Sequence, residues 1–183
     1  MAKYSRIPKG KEIRPTFFVF CEGESEDAYV SFLKSQYRIP IEISSKIAGN
    51  RITQKYITNT LKHKTVHEKD KIFLMYDLDA PLMLEKLQSI KNTILLASNP
   101  CFELWYILHH CNQSTQLSTL DCVTKFERMY HDYKKGEISG KLKNKLIEKV
   151  DQAIKNAKKL KTFENPSTSV YLLIEELNFV KQN

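Results

Sequence analysis

Residues 16–21, Thr-Phe-Phe-Val-Phe-Cys, run without a polar break into Glu22-Gly23-Glu24-Ser25. A stretch of β-branched and aromatic residues has no polar side to present to water. It predicts a strand buried on both faces, as inside a parallel sheet. Working outward, the same signature recurs at 71–76 (KIFLMY), stopped by Asp77-Leu78-Asp79, and at 93–97 (TILLA), stopped by Ser98-Asn99-Pro100. Ile41, Ile43 and Ile47 predict a further strand over 41–47. Helical spacing fills the gaps. Ala28, Tyr29, Phe32 and Leu33 follow a Ser25 cap; Ile52, Tyr56, Ile57 and Leu61 precede the strand at 71; Leu82, Leu84 and Leu87 follow Pro81 as a helix start; residues 102–110 read as one more helix. Strands alternating with helices over 16–110 predict an α/β fold, a parallel sheet of about four strands flanked by helices on both faces. Beyond 110 only helices are expected, over 120–133, 142–160 and 169–180, as a helical C-terminal elaboration (111–183) packed on the core. Residues 1–15, polar, basic and broken by Pro8 and Pro15, read as a flexible arm.

The chain has 183 residues, 42% hydrophobic and 27% charged, which excludes a disordered polymer and suits one globular domain. Its longest apolar runs fall far short of the ~20 residues of a membrane span, and no apolar segment follows the N-terminal residues as in a secretory signal. Cys21, Cys101, Cys111 and Cys122 form no CxxC pair, so reduced thiols in a cytoplasmic protein are expected. The formal charge is +8, unevenly placed: residues 134–161 carry a net +7 and residues 3–14 a net +4, leaving −3 for the rest. A mildly acidic body with basic flanks suits a polyanionic partner such as nucleic acid, although excess Lys on a helix also serves solubility.

The chemistry is expected just past the carboxyl ends of the strands, where ligands bind in parallel α/β sheets. The first strand delivers Glu22 and Gly23, the third Asp77 and Asp79, the fourth Ser98 and Asn99, with Glu103 soon after. Two carboxylates ~4 Å apart repel by about 4 kcal/mol at an effective dielectric near 20, so a cluster needs a proton or a cation to offset it. Hard oxygen ligands favour Mg²⁺ or Mn²⁺ over zinc. Gly23 would let the backbone turn sharply toward a phosphate. A lone D-x-D is more often a solvated loop; its coincidence with Glu-Gly after the first strand brings the metal reading level with that one.

These residues carry a resemblance. An apolar strand ending in Glu22-Gly23, with Asp77-Leu78-Asp79 at the end of a later strand, resembles a Toprim domain. More narrowly, FFVFCEGESEDAYV, FLMYDLD, SNPCFELWYILHH and ENPSTSVYLLIEEL resemble the RloB-like family, a bacterial Toprim-related group associated with restriction-modification loci and phage defence. The resemblance implies a Toprim core and a divalent-metal-dependent nuclease acting on DNA or RNA. It implies Asp77 and Asp79 as Mg²⁺ ligands and Glu22 as an acid/base or metal-facing residue, the two roles left open. Glu26 falls in its E-G-E-x-(T/S)-E stretch, with Ser25 where Thr is common.

Other candidates keep two readings each. Glu103 either completes the acidic cluster as a metal ligand or favours a helix N-terminus. Ser98 and Asn99 cap a helix in the first reading and bind phosphate in the second. Lys141, Lys143, Lys145, Lys149 and Lys155 form either a phosphate-contacting surface or a solvated face. His109 and His110 pack or face solvent, with a phosphate contact from His110 as the alternative. Trp105 and Tyr106 are expected in the core, and Asn165-Pro166-Ser167-Thr168 reads as a helix start before it reads as a segment folding back to the site. His63 and His67 lack the acid of a zinc-protease helix. The rival to an enzyme is an inactive nucleic-acid-binding or ATPase-partner module of a defence system. A phosphoacceptor domain would need a lysine at the end of a late strand, where Ser98-Asn99-Pro100 stands.

Overall fold

The computed structural model describes residues 15–37 and 42–182. The expected arm, apart from Pro15, and the expected strand start at Ile41 lie outside the described residues. One five-stranded sheet is formed by β1 (Thr16–Cys21), β2 (Glu42–Ile47), β3 (Lys71–Asp77), β4 (Ile94–Asn99) and β5 (Ser167–Thr168), in the order β2-β1-β3-β4-β5. The first four are parallel, and β5 runs antiparallel along β4. This is an α/β fold compatible with the Toprim-like arrangement that the resemblance implies.

Right-handed crossovers dictate the layers. The chain moves to one edge from β1 to β2, so α1 (Glu24–Gln36) covers one face. It then reverses through β3 to β4, so α2 (Gln54–Leu61) and α3 (Met83–Gln88) cover the other. Strand side chains alternate accordingly. Phe18, Phe20, Leu74 and Tyr76 pack with Ile52, Ile57 and Leu87 on the α2/α3 side. Phe17, Val19, Phe73, Met75 and Leu96 pack on the α1 side, in a larger core shared with the C-terminal helices. Those helices are α4 (Glu103–Leu108), α5 (Thr119–Met129), α6 (Gly140–Glu148), α7 (Val150–Ala157) and α8 (Tyr171–Gln182). Every residue of α4 is buried. Trp105 and Tyr106 lie in this core as expected, against Tyr29 of α1. Asn156 of α7 donates to the Leu108 carbonyl at 2.9 Å, satisfying an end of α4 that would otherwise be orphaned. Among the described residues no helix is long and apolar enough to cross a membrane.

Several expectations are corrected. A fifth strand exists: Ser167 and Thr168 do not start a helix but pair with Asn99 and Ser98. The pairing is held by polar groups, Ser98 Oγ with Thr168 Oγ1 at 2.9 Å and Ser169 Oγ accepting from the Ala97 N–H at 2.8 Å. Ser98 and Asn99 therefore cap no helix; the residue before α4 is Phe102, and Asn99 Nδ2 donates to the Phe163 carbonyl. The helix expected over 142–160 is two, parted at Lys149, although its apolar stripe runs on through Val150 and Ala153. Pro81 does not open a helix; Leu82, at φ 63°, precedes α3.

Candidate functional site

The strand order reverses between β1 and β3, so the crevice at their carboxyl ends is the topological switch point of the sheet. β1 and β3 remain paired as far as the Glu22 N–H donating to the Met75 carbonyl, 3.0 Å. The next amide of β3, that of Asp77, would continue the ladder to a main-chain carbonyl. Instead it donates to the Glu22 carboxylate, Oε2, at 2.8 Å. The side chain of Glu22 thus closes the ladder and ties the two strand ends, and with them the first two acids of the site.

Gly23 then precedes α1. Its φ of −142° is extended backbone open to any residue, so the turn does not rest on glycine's conformational freedom, contrary to expectation. The expected Ser25 cap is corrected too: α1 begins at Glu24, and Glu26 Oε2 accepts from the Gly23 N–H at 3.1 Å. Glu26 is only 4% exposed.

Five carboxylates bear on one another here. Burial raises Asp77 well above the usual carboxylate range, and the charges of Glu26, Glu22, Glu103 and Asp79 raise it further. Burial lifts Glu26 to about 7, with Glu22 and Glu103 adding to the rise. Burial also raises Glu22, opposed by the Asp77 amide and by the cations Lys135 and Lys86, and assisted by Asp79. Lys86 comes from α3 and donates to the Asn50 carbonyl; Lys135 comes from the segment after α5. Removing the second cation with Lys135→Met should move the Glu22 titration further up. Side-chain carboxyl NMR resolves this, and an unmoved or lowered Glu22 would show that Lys135 exerts no field there.

Glu103 opens α4 at 2% exposure, and its Oε1 accepts from the Tyr133 hydroxyl at 2.6 Å. Asp79 lies past the end of β3 and is exposed. Asp77 Oδ1 is buried without a hydrogen-bond partner, the only such carboxylate oxygen among the described residues. An anionic oxygen without a donor is costly, and a proton or a cation is what relieves it. The donor set is all oxygen, which fits a hard divalent ion. The arrangement is not a closed cage: among the described residues no three His, Cys, Asp or Glu groups are placed to hold a metal together, and Glu22, Glu26 and Glu103 each have one carboxylate oxygen on a protein donor.

The remaining sequence candidates lie elsewhere. Lys141, Lys143, Lys149 and Lys155 are exposed and Lys145 is half-buried, on α6, on α7 and at the break between them. Lys143 lines an open cleft of about 670 Å³ beside α1, with Glu24, Asp27, Ile47 and Lys135. That cleft carries acids as well as lysines, Glu24, Asp27 and Glu137 beside Lys135 and Lys143. His109 is buried with Nδ1 on the Trp105 carbonyl, and burial lowers its pKa to about 4; His110 Nε2 meets the Tyr130 hydroxyl at 3.1 Å. Sequence reasoning missed Tyr133, which no motif marks. It noted Glu26 without placing it in the site, although a glutamate three residues into a helix is the usual partner of the capping amide.

A family model described as RloB-like protein matches residues 17–177. No curated protein and no solved structure matches the chain.

Proposed function

The chain belongs to the RloB-like family, and from that premise we propose that it is a divalent-metal-dependent nuclease, hydrolysing phosphodiesters of DNA or RNA in bacterial anti-phage defence. The observation that carries this reading is the buried, unpartnered Oδ1 of Asp77, set among four other carboxylates at the switch point of the sheet. Asp77 and Asp79 would hold Mg²⁺ or Mn²⁺, with Glu103 beside them. An ion bound there supplies charge neutralisation on the phosphate and lowers the pKa of a water.

The chain's own groups do the rest. Glu22 has one oxygen committed to the Asp77 amide. Its other oxygen is left to take up or return a proton, or to face the ion. Lys86 and Lys135, whose charges reach Glu22 from opposite faces of the sheet, suit the phosphate oxygens flanking the reacting bond. The lysines of α6 and α7 would hold more distant phosphates, so binding should weaken steeply with salt.

The test is cleavage of single- and double-stranded DNA and RNA with Mg²⁺ or Mn²⁺, run beside EDTA and beside Glu22→Ala. Cutting should require the ion and fall on the order of 10²-fold in the variant, the lower end of what a positioned acid/base supplies. Equal cutting by both proteins overturns the assignment of Glu22.

A second reading is a nucleic-acid-binding module without turnover, docked to an ATPase or another defence-system protein. The exposed lysines, and carboxylates already satisfied by protein donors, favour it. Salt-sensitive binding with no cleavage under any ion would select it.

A further inference from the structure

We propose that Lys46, Arg51 and Lys86 form a phosphate-contacting surface, separate from the lysines of α6 and α7, which takes the sugar-phosphate backbone of a nucleic acid beside the switch point. This surface rests on the reading of the chain as a nuclease, but on no ion at the strand ends.

The body of the chain, acidic in sum, is itself divided. From Ile43 to His67 there are five cations, Lys46, Arg51, Lys55, Lys62 and Lys64, and no Asp or Glu. The stretch contains most of β2, a 3₁₀ turn (Gly49–Arg51) and α2. β2 is an edge strand, and Lys46 pairs in register with Phe20, so its side chain leaves the sheet on the α2/α3 side. The turn is fastened to the candidate site. The Ala48 N–H donates to the Cys21 carbonyl at 2.9 Å, and the Tyr76 hydroxyl donates to the Gly49 carbonyl at 3.1 Å. A Cβ on Gly49, which stands at φ 51°, would be 3.5 Å from the Glu22 carbonyl oxygen.

The cations converge there on one ring. Tyr56 stands in the first turn of α2, its amide capped by the Thr53 hydroxyl at 3.0 Å and its ring edge-on to Phe20. Lys46 Nζ lies 5.4 Å and Arg51 Cζ 5.8 Å from the ring centroid. Lys86 reaches the same turn from α3 and donates to the Asn50 carbonyl at 3.0 Å, which leaves it two N–H donors. Lys46 and Arg51 are exposed, and among the described residues no carboxylate pairs with any of the three. A solvated lysine face disperses its charges. Here a ring and a main-chain carbonyl gather three of them around one turn, and an anion relieves their repulsion. A phosphodiester backbone fits: it carries one charge per nucleotide, and Arg51 offers it a planar fork. A strand lying on this turn also borders the crevice between β1 and β3.

The measurement is binding of a short labelled DNA duplex to the full-length chain in EDTA, by fluorescence anisotropy over a salt series. Lys46→Gln/Arg51→Gln should weaken binding about 10-fold at low salt and lower the slope of log K against log salt by about 1.8, two contacts at about 0.9 each. Lys86→Gln should lower it by about 0.9. Lys34→Gln/Lys69→Gln removes the same charge from the end of α1 and from the residues before β3, and should keep the wild-type slope. Circular dichroism checks folding. A wild-type slope in the folded Lys46→Gln/Arg51→Gln protein, or in Lys86→Gln where the double variant does not fold, overturns the proposal. An equal loss in Lys34→Gln/Lys69→Gln overturns it too, by reducing the effect to net charge. Wild type that leaves the duplex free also overturns it, in favour of a lipid surface where the chain binds phosphatidylserine vesicles instead. The assay holds no divalent ion, so it is read apart from the cleavage test: absence of cutting with the expected slopes removes the nuclease reading and leaves this surface in place.

Discussion

In the Asp77→Asn protein, Mn²⁺ should no longer raise the melting temperature. A ligand at 100 times its dissociation constant stabilises the folded state by about 2.7 kcal/mol, which for a chain of this length corresponds to roughly 5–11 °C. Wild type should show that rise and the variant should not. Cleavage should fall with it, by about 10²–10³-fold, the scale on which one preorganised electrostatic group acts. The substitution is nearly isosteric and keeps the main-chain amide that Glu22 accepts from, so the closure between β1 and β3 survives. It also removes a carboxyl that burial and four neighbouring acids press toward its protonated form. In EDTA at pH 8 the variant should therefore be at least as stable as wild type. Loss of metal response without loss of stability is the diagnostic combination. An unchanged thermal response to Mn²⁺ would remove Asp77 from the site, and an unfolded variant would make it a structural residue.

The parts of this fold that were legible in the sequence are those set by burial. β1 and β3 lie inside the sheet and are covered on both faces, so their sequences are continuous apolar runs, and Glu22 and Asp77 at their carboxyl ends are two of the five acids of the candidate site. β5 has no such signature. It is two residues long, and its pairing is made by hydroxyls of Ser98, Thr168 and Ser169 that a linear reading assigns to a helix cap. The break at Lys149 is hidden for the opposite reason. The apolar stripe from Leu142 to Ala157 keeps its helical spacing across it, so periodicity predicts one helix where the backbone makes two. The Tyr133–Glu103 hydrogen bond was illegible because it joins residues 30 positions apart, through packing that only the folded chain provides.

Glu26→Gln should stabilise the metal-free protein at alkaline pH and have little effect in acid. Glu26 is raised from 4.5 to about 7 in the folded state, by burial first and by the charges of Glu22 and Glu103 after it. The folded protein therefore holds this proton more tightly than the unfolded chain does. The stability that goes with it is fully present below about pH 4.5 and is lost as the pH rises through about 7. Above that, the buried charge costs about 3 kcal/mol, since each tenfold change in proton affinity is worth about 1.4 kcal/mol. Glutamine carries no charge to bury and still offers an oxygen to the Gly23 amide, so α1 keeps its first-turn bond. The difference between variant and wild type should grow from near zero at pH 4.5 to about 3 kcal/mol at pH 8, or about 6–12 °C in melting temperature. Urea unfolding in EDTA at several pH values measures it. Mg²⁺ should narrow the gap, because a cation among the same carboxylates offsets the repulsion that raises Glu26. A gap independent of pH would mean that glutamine repacks the start of α1 and that no proton is held there. A gap that widens with added Mg²⁺ would mean that the acids of this cluster do not share one cation.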